Sequence, residues 1–252
     1  MKLFGCLLLQ SGSEKEPWED KMTSSAVRVV LMIGSLLAST ACTARAASQA
    51  AIPAPAVDAK LADASSRQTA VIAGGCFWGI QAVFQHVKGV ISATSGYSGG
   101  QAKTAEYEVV STGSTGHAES VQVVFDPSQI TYGQLLHVFF SVAHDPTELN
   151  RQGPDEGTQY RSVVFFSTPE QERLTRAYIE QLDKAHVFKH SIVTQVVPLK
   201  GFYPAEAYHQ NYATIHPESM YIRFNDAPKV ENLKKEFSQI YRESPQLVAV
   251  KK

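Results

Sequence analysis

The chain has 252 residues, of which 44% are hydrophobic and 19% charged, and its formal net charge is -1 at pH 7. This length is enough for one packed domain with additional segments. The balanced charge excludes the strongly basic surface of nucleic-acid-binding proteins, so we expect no nucleic-acid partner. The spacing of the three cysteines, Cys6, Cys42 and Cys76, fits neither a disulfide framework nor a zinc site, and we expect no metal.

The first 46 residues have the features of a targeting segment. Lys21 and Arg28 precede an apolar run over residues 29–41, and residues 44–46 (Ala-Arg-Ala) match a small-x-small cleavage pattern. The run is too short for an ordinary membrane span. We therefore predict an N-terminal extension and signal peptide over residues 1–46, with translation that can start at Met1 or Met22.

Two processing routes fit this segment. Cleavage after Ala46 would release a soluble protein, whereas residues 39–42 (Ser-Thr-Ala-Cys) loosely match a lipoprotein box and would place a lipid anchor on Cys42. Both routes predict an exported protein, periplasmic in a bacterium; a disordered tail with a chance apolar stretch is the alternative. Residues 47–67 are rich in Ala, Ser and Pro without apolar periodicity, which predicts a flexible linker.

From residue 68 the hydrophobic pattern becomes dense and alternates between strand and helix periods. Apolar or alternating segments predict strands at 71–73, 90–94, 119–125, 162–166 and 193–197, with a loop at 95–100. Helical spacing predicts helices that begin near 80, over 131–142, from Thr168 to about 185, and within 225–241. We predict one α/β or α+β domain over residues 68–241 and a tail over 242–252.

Cys76 is the first candidate for chemistry. It lies in residues 74–79 (Gly-Gly-Cys-Phe-Trp-Gly), between a predicted strand and a predicted helix. Unpaired N–H groups at a helix start favour an anion, so we expect a stabilised thiolate with a lowered pKa. The glycines are expected to leave the turn open for a ligand, and Phe77 and Trp78 to form an apolar cradle beside the sulfur.

Polar residues at loops and strand edges are the other candidates. Glu119 at a strand start can protonate a leaving oxygen if apolar neighbours raise its pKa; a solvated surface glutamate is the alternative. Tyr160 offers a neutral O–H donor, and Asp155 a carboxylate that orients it or water; ordinary turn residues are the alternative. Tyr107 could be a core tyrosine, and His209 could be either a base for Cys76 or structural.

Four motifs together resemble the peptide methionine sulfoxide reductase A family. They are Gly-Cys-Phe-Trp-Gly (75–79), Gly-His-Ala-Glu (116–119), Gly-Thr-Gln-Tyr-Arg-Ser (157–162) and Ala-Glu-Ala-Tyr-His-Gln (205–210), in this order. The resemblance covers about residues 68–237. It implies an α/β (α+β) two-layer sandwich with a mixed sheet, helices packed on it and a long irregular C-terminal segment. Gln81 stands where many members have Glu.

The resemblance also implies a role for each candidate. Cys76 is the nucleophile, and Glu119 is the proton donor to the sulfoxide oxygen. The substrate-binding residues are an aromatic pair for the methyl group, two tyrosines for the oxygen and an aspartate that orients water or thiol: Phe77, Trp78, Tyr107, Tyr160 and Asp155.

The implied activity is reduction of methionine sulfoxide, the S epimer at sulfur, in oxidised proteins and peptides and in the free amino acid. Attack leaves Cys76 as a sulfenic acid. No cysteine follows Cys76, and residues 215–223 resemble the single-cysteine members of the family. We therefore expect a monomeric repair enzyme without a cofactor, regenerated by an external thiol such as a thioredoxin-like protein or a dithiol.

Two other function classes stay open at this point. A papain-like hydrolase would use Cys76 and His209 and would consume no reductant. An exported binding module with an aromatic groove would not turn over a sulfoxide at all.

Overall fold

A computed structural model describes residues 51–249 of the chain. The predicted signal peptide, Cys6, the cleavage pattern and the possible lipid anchor at Cys42 lie outside this range. Within residues 51–249, no helix has both the length and the apolar character that a membrane crossing requires.

The described chain forms one six-stranded mixed sheet and a small hairpin. The strands are β1 (Gln68–Ala73), β2 (Val90–Ser98), β3 (Ala118–Phe125), β4 (Arg151–Gln152), β5 (Asp155–Glu156), β6 (Val163–Phe166), β7 (Gln195–Pro198) and β8 (Phe202–Pro204). The sheet order is β7-β6-β1-β3-β2-β8, and β4 pairs with β5. Strands β6 and β7 are parallel, whereas the other neighbours in the sheet are antiparallel.

Helices and short turns connect these strands. The helices are α1 (Phe77–Gln85), α2 (Tyr107–Val110), α3 (Tyr132–Val138), α4 (Pro169–Lys184), α5 (Tyr212–Ile215) and α6 (Ala227–Glu236). Single 3₁₀ turns cover 102–104, 158–160 and 207–209, and π-helical turns cover 139–143 and 222–226.

The core lies between one face of the sheet and the helices. In β1, Ala70 and Ile72 belong to the large cluster that includes buried residues of α1, α3, α4 and α6, while Val71 and Ala73 pack on the opposite face in a small cluster. This alternation is what a strand between two apolar surfaces requires. The predicted fold class, a two-layer α/β arrangement with a mixed sheet, is confirmed.

Local signals in the sequence explain where helices begin. Thr168 caps α4, because its Oγ1 accepts a hydrogen bond from the Gln171 N–H at 3.2 Å, and Pro169 occupies the first turn. Thr131 and Gln134 form a complete capping box at the start of α3.

The predicted loop over residues 95–100 is wrong for residues 95–98, which continue β2. These residues pair with β3 on one side, and Gly96, Tyr97 and Ser98 pair with β8 on the other. A Cβ added at Gly96 would lie 2.7 Å from Cε2 of Phe202, so glycine lets β8 cross closely. Glycine and serine thus belong to a strand here because tertiary pairing outweighs their local preference for loops.

The segments that flank the domain are hydrogen-bonded to it. Residues 51–67, expected to be part of a flexible linker, contain no helix or strand, yet Asp58 Oδ1 accepts from the Gly133 N–H at 2.8 Å, and the Tyr178 hydroxyl donates to the Pro53 carbonyl at 2.8 Å. Composition does not reveal such contacts. In the tail, the Gln246 N–H donates to the Gln85 carbonyl at 2.8 Å.

Candidate active site

Cys76 is the residue immediately before α1, and it follows the two glycines that come after β1. Its side chain is buried, with 8% of the residue exposed, and the Trp78 backbone N–H contacts the sulfur. Burial raises the pKa of the Cys76 thiol well above its ordinary value, and the carboxyls of Glu119 and Asp226 raise it further. The expectation of a lowered pKa is therefore wrong, because the Trp78 N–H and the Lys229 charge do not offset the loss of solvation and the two carboxyls.

The two glycines before Cys76 accommodate protein side chains. A Cβ added at Gly74 would lie 2.7 Å from the His144 ring, and one at Gly75, where φ is +96°, would lie 2.6 Å from Gln152. The expected role of these glycines is thus corrected: they let two neighbouring segments pack against the cysteine turn.

Glu119 is buried in β3 beside the start of α1. Only 2% of it is exposed, and its Oε2 accepts a hydrogen bond from the Phe77 N–H at 3.1 Å. Burial raises its pKa to about 8, although the Phe77 N–H lowers it, and the negative charges of Asp155 and Asp226 add to the rise. At neutral pH the group is therefore mostly a protonated carboxylic acid. The alternative of a solvated surface glutamate is excluded by this burial.

Two half-buried tyrosines lie near this acid. Tyr107 begins α2 and is anchored by its N–H, which donates to Glu206 Oε1 at 2.8 Å; Tyr160 ends the 158–160 turn. Burial raises the pKa of each phenol, and the next contribution in each case comes from Glu119, with a further one from Cys76. Both phenols are therefore neutral donors within electrostatic range of Cys76 and Glu119.

Asp155 has a different partner from the one expected. The Tyr221 hydroxyl, and not that of Tyr160, donates to Asp155 Oδ2. Burial raises the pKa of Asp155, while the Tyr221 hydrogen bond and the Lys229 charge lower it. Burial raises the pKa of Tyr221, and Tyr221 also lies close enough to Cys76 for the thiolate charge to raise it further. Sequence analysis assigned Tyr221 no role, since its only signal was the resemblance of residues 215–223 to the family tail.

Aromatic rings surround Trp78, which is half-buried next to Phe77. Its ring stacks on Tyr212 with centroids 3.8 Å apart and meets the edge of Tyr221 at 5.8 Å. The indole N–H donates to Nδ1 of His209 at 3.2 Å. The predicted apolar cradle therefore contains rings from the C-terminal segment as well as Phe77 and Trp78.

His209 supports this wall and does not act on the thiol. Its Nδ1 is occupied by Trp78, its Nε2 lies 3.9 Å from Glu206, and burial lowers its pKa, so the ring is neutral. Among the described residues, Cys76 is not a hydrogen-bond partner of His209. The geometry thus gives no thiol–imidazole pair for a papain-like hydrolase.

A buried amide network fixes the segment that carries His209. The Gln81 side chain donates to the Ala93 carbonyl and to Gln210 Oε1, each at 2.9 Å, and accepts from the Asn211 N–H at 2.8 Å. A glutamate at position 81 would lose both donated bonds. In this chain the departure from the family's usual Glu is therefore matched by its partners.

Taken together, the site contains a thiol, a protonated carboxylic acid, neutral phenols and an aromatic wall. Such a set can transfer an oxygen from sulfur to sulfur, because it protonates the oxygen and offers a nucleophile and an apolar surface. Within residues 51–249, no group of three or more His, Cys, Asp or Glu side chains is arranged to hold a metal ion.

Comparisons with known proteins agree with this geometry. Residues 68–241 match the family model described as peptide methionine sulfoxide reductase. The chain is 57% identical over 192 residues to peptide methionine sulfoxide reductase MsrA 2 of Mesorhizobium japonicum, covering 76% of this chain and 97% of that one. It is 48% identical over 189 residues to the protein of the same name from Synechocystis sp., with 74% and 88% covered.

Two solved structures share the fold. Mxr1 from Saccharomyces cerevisiae in reduced form superposes with a TM-score of 0.56 at 32% identity, covering 64% of this chain and 91% of that one. Methionine sulfoxide reductase A of Corynebacterium diphtheriae gives a TM-score of 0.53 at 35% identity, with 61% and 76% covered.

Proposed function

This chain belongs to the peptide methionine sulfoxide reductase family, and we propose that it reduces methionine sulfoxide through attack by Cys76 with Glu119 as the acid. The reduction repairs oxidised proteins, and the enzyme is an oxidoreductase. The observation that carries the residue assignment is a hydrogen bond next to the nucleophile: the Phe77 N–H, one residue after Cys76, donates to the buried carboxyl of Glu119 at 3.1 Å.

The first half-reaction moves one oxygen atom. The Cys76 sulfur attacks the sulfoxide sulfur, while Glu119 donates its proton to the oxygen and the hydroxyls of Tyr107 and Tyr160 hydrogen-bond to it. The attack forms a transient S–S bond. The hydroxyl then moves to the Cys76 sulfur as the S–S bond and the sulfoxide S–O bond break, and the proton released by the thiol returns to Glu119. An electron pair passes from the cysteine sulfur to the methionine sulfur, so that methionine leaves and Cys76 becomes a sulfenic acid.

The aromatic wall accounts for the substrate's methyl group. Half-buried Trp78 offers an apolar face, buried Phe77 packs behind it with ring centroids 6.5 Å apart, and the stacking of Trp78 on Tyr212 fixes the indole in place. A methyl group held on one side and an oxygen held by hydroxyls on the other leave one configuration at sulfur aligned with the thiol. This supports selectivity for one epimer at sulfur, which the family resemblance implies is S, in peptides and in the free amino acid.

The second half-reaction requires an outside thiol. Cys76 is the one cysteine within residues 51–249, and no cysteine follows it in the sequence. One external thiol displaces water from the sulfenic acid to form a mixed disulfide, and a second thiol releases Cys76. A thioredoxin-like protein or a small dithiol supplies these groups, Asp155 orients the incoming water or thiol, and the enzyme acts as a monomer.

Single turnover without reductant tests this scheme. The purified chain, mixed with a methionine sulfoxide peptide and no thiol, should form about one equivalent of methionine per Cys76 and leave a sulfenic acid that dimedone traps on the peptide 68–88. A hydrolase or a binding module would form no methionine. Dimedone on no cysteine, with methionine formed, would refute the intermediate.

For the N-terminal segment we propose export to the periplasm of a bacterium. The apolar run and the cleavage pattern support a signal peptide, with either release after Ala46 or lipidation of Cys42. Mass spectrometry of the mature N-terminus distinguishes these routes. A mature chain that retains residues 22–46 unmodified would refute both.

A further inference from the structure

A buried ion pair lies beside the cysteine turn, in the C-terminal part of the chain. Lys229 Nζ is 3.0 Å from Asp226 Oδ1, with 17% of the lysine side chain and none of the aspartate side chain exposed. Asp226 lies in the 222–226 turn and Lys229 in α6. Within the described residues, Asp226 Oδ2 has no hydrogen-bond partner.

The pair is in direct contact with the first turn of α1. A Cβ added at Gly79 would lie 2.7 Å from Cγ of Asp226 and 2.8 Å from Nζ of Lys229. Gly79 is three residues after Cys76. The last glycine of the Gly-Cys-Phe-Trp-Gly motif therefore makes room for two charges beside the nucleophile.

Stability alone is a poor reason for this arrangement. Taking two charges out of water costs several kcal/mol per ion in general, and a carboxylate oxygen without a partner adds to that cost. Apolar side chains of similar volume commonly fold as well or better. A buried pair with an unpartnered oxygen, packed against the helix turn that follows a reactive thiol, indicates an electrostatic role.

The other groups around the thiol show in which direction each charge of the pair changes the ionisation of Cys76. Carboxyls and phenols face the site from β3, the β5 hairpin, α2, the 158–160 turn and the segment before α6: Glu119, Asp155, Tyr107, Tyr160, Tyr221 and Asp226. Among the described groups that influence the Cys76 pKa, Lys229 is the one cation, and it lowers that pKa while Asp226 raises it. Lys229 thus counteracts the effect of the surrounding acidic groups on the Cys76 pKa.

We propose that Asp226 and Lys229 are positioning residues that set how readily Cys76 loses its proton. Lys229 supplies the positive charge that stabilises the thiolate, and Asp226 holds the ammonium against Gly79. The inference rests on the proposed function only in taking Cys76 as the nucleophile, and its test needs no sulfoxide.

The two charges predict opposite effects when removed singly. Lys229→Met keeps the length of the side chain and removes the cation, so the thiolate should form only at higher pH. Asp226→Asn keeps the shape and removes the anion, so the thiolate should form at lower pH. A packing defect at this contact would have no reason to move the two variants in opposite directions.

The experiment measures the pH dependence of Cys76 alkylation by iodoacetamide in the full-length chain. Mass spectrometry of the tryptic peptide 68–88 separates Cys76 from Cys6 and Cys42. We expect the midpoint to rise by about one pH unit in Lys229→Met and to fall by a similar amount in Asp226→Asn, as is usual for a charge beside a titrating group. The double variant should return close to the parent.

Lys234→Met is the matched control, because Lys234 is an exposed lysine of α6 that pairs with Glu243. Its midpoint should not move. If Lys229→Met fails to fold, Asp226→Asn and the double variant still decide the question. Unchanged midpoints, or shifts in the same direction, would overturn the inference. Opposite shifts in a protein that reduces no sulfoxide would uphold it and refute the proposed function instead.

Discussion

Replacement of Glu119 by Gln tests the acid at the centre of the mechanism. The amide keeps the shape and can still accept the Phe77 N–H hydrogen bond of 3.1 Å, but it has no transferable proton. We expect sulfenic acid formation to slow by about 10²–10⁴, the usual range for loss of a general acid. Binding of the sulfoxide should change little, because the two tyrosine hydroxyls and the aromatic wall remain.

The structure gives the reason for so large an effect at neutral pH. A carboxyl with the ordinary value of 4.5 would be protonated in roughly 0.3% of molecules at pH 7, whereas one with a pKa of about 8 is protonated in roughly 90%. Burial therefore raises the population of the acid about 300-fold. The parent should lose rate above about pH 8, once Cys76 and Glu119 are both ionised and no proton remains for the oxygen, and the glutamine variant should lack this alkaline limb.

The same pKa shift has a consequence for stability. Native Glu119 keeps a proton that the unfolded chain releases above pH 4.5, so the group lowers stability progressively as pH rises from 4.5 to about 8. The upper limit of this loss is about 5 kcal/mol at pH 9, since one pKa unit corresponds to about 1.4 kcal/mol. In urea unfolding, the free energy of unfolding of Glu119→Gln relative to that of the parent should therefore be higher at pH 9 than at pH 5.

Rapid-quench single turnover without reductant, from pH 6 to pH 10, measures the kinetic effect. Glu108→Gln, the same change at an exposed position of α2, is the control and should leave rate and profile unchanged. A Glu119→Gln variant that forms methionine at the parent rate, or keeps the alkaline limb, would remove Glu119 from the acid role.

Three further changes give distinct outcomes. Cys76→Ser should keep the fold but lose all except about a hundredth or less of the reductase rate, because a hydroxyl is a poor nucleophile at neutral pH. Circular dichroism checks the fold, and a turnover assay checks the rate. Changing both Cys6 and Cys42 to Ser should leave turnover with a dithiol unchanged, and a variant that stalls after one turnover would show that an internal disulfide is needed. Gly79→Ala should lower stability by about 1–3 kcal/mol, since its Cβ would lie 2.7 Å from Asp226 Cγ; an unchanged melting temperature would contradict that contact.

Strong local signals made much of the architecture predictable. The capping Thr168 and Pro169 defined the start of α4, and the alternation over 119–125 matches β3. The end of β2 could not be predicted, because Gly96 and its neighbours are in a strand only through pairing with β8, about a hundred residues later. Such long-range pairing leaves no periodicity in the local sequence.

The candidate site shows the same division. Cys76 and Glu119 stand in short motifs next to elements of recognisable period, so their proximity to the aromatic pair could be anticipated. Tyr221 and Lys229 come from the C-terminal segment, whose path over α1 is set by buried amide contacts such as Gln81 with Asn211. A hydrogen bond from a backbone N–H to a side chain 130 residues away has no counterpart in composition or spacing.

A site that raises the pKa of both its nucleophile and its acid is at first sight poorly suited to thiolate attack. The net half-reaction, however, joins one thiol and one sulfoxide into a thioether and a sulfenic acid, so a proton must be present when the oxygen changes partner. Burial keeps one on Cys76 and one on Glu119 before substrate arrives. A fully ionised cysteine beside an ionised glutamate would have the charge for attack and no proton for the oxygen. The acidic surrounding therefore keeps a proton available for the oxygen, although it disfavours the thiolate that attacks. The positive charge of Lys229 beside Gly79 offsets part of this effect on the thiolate.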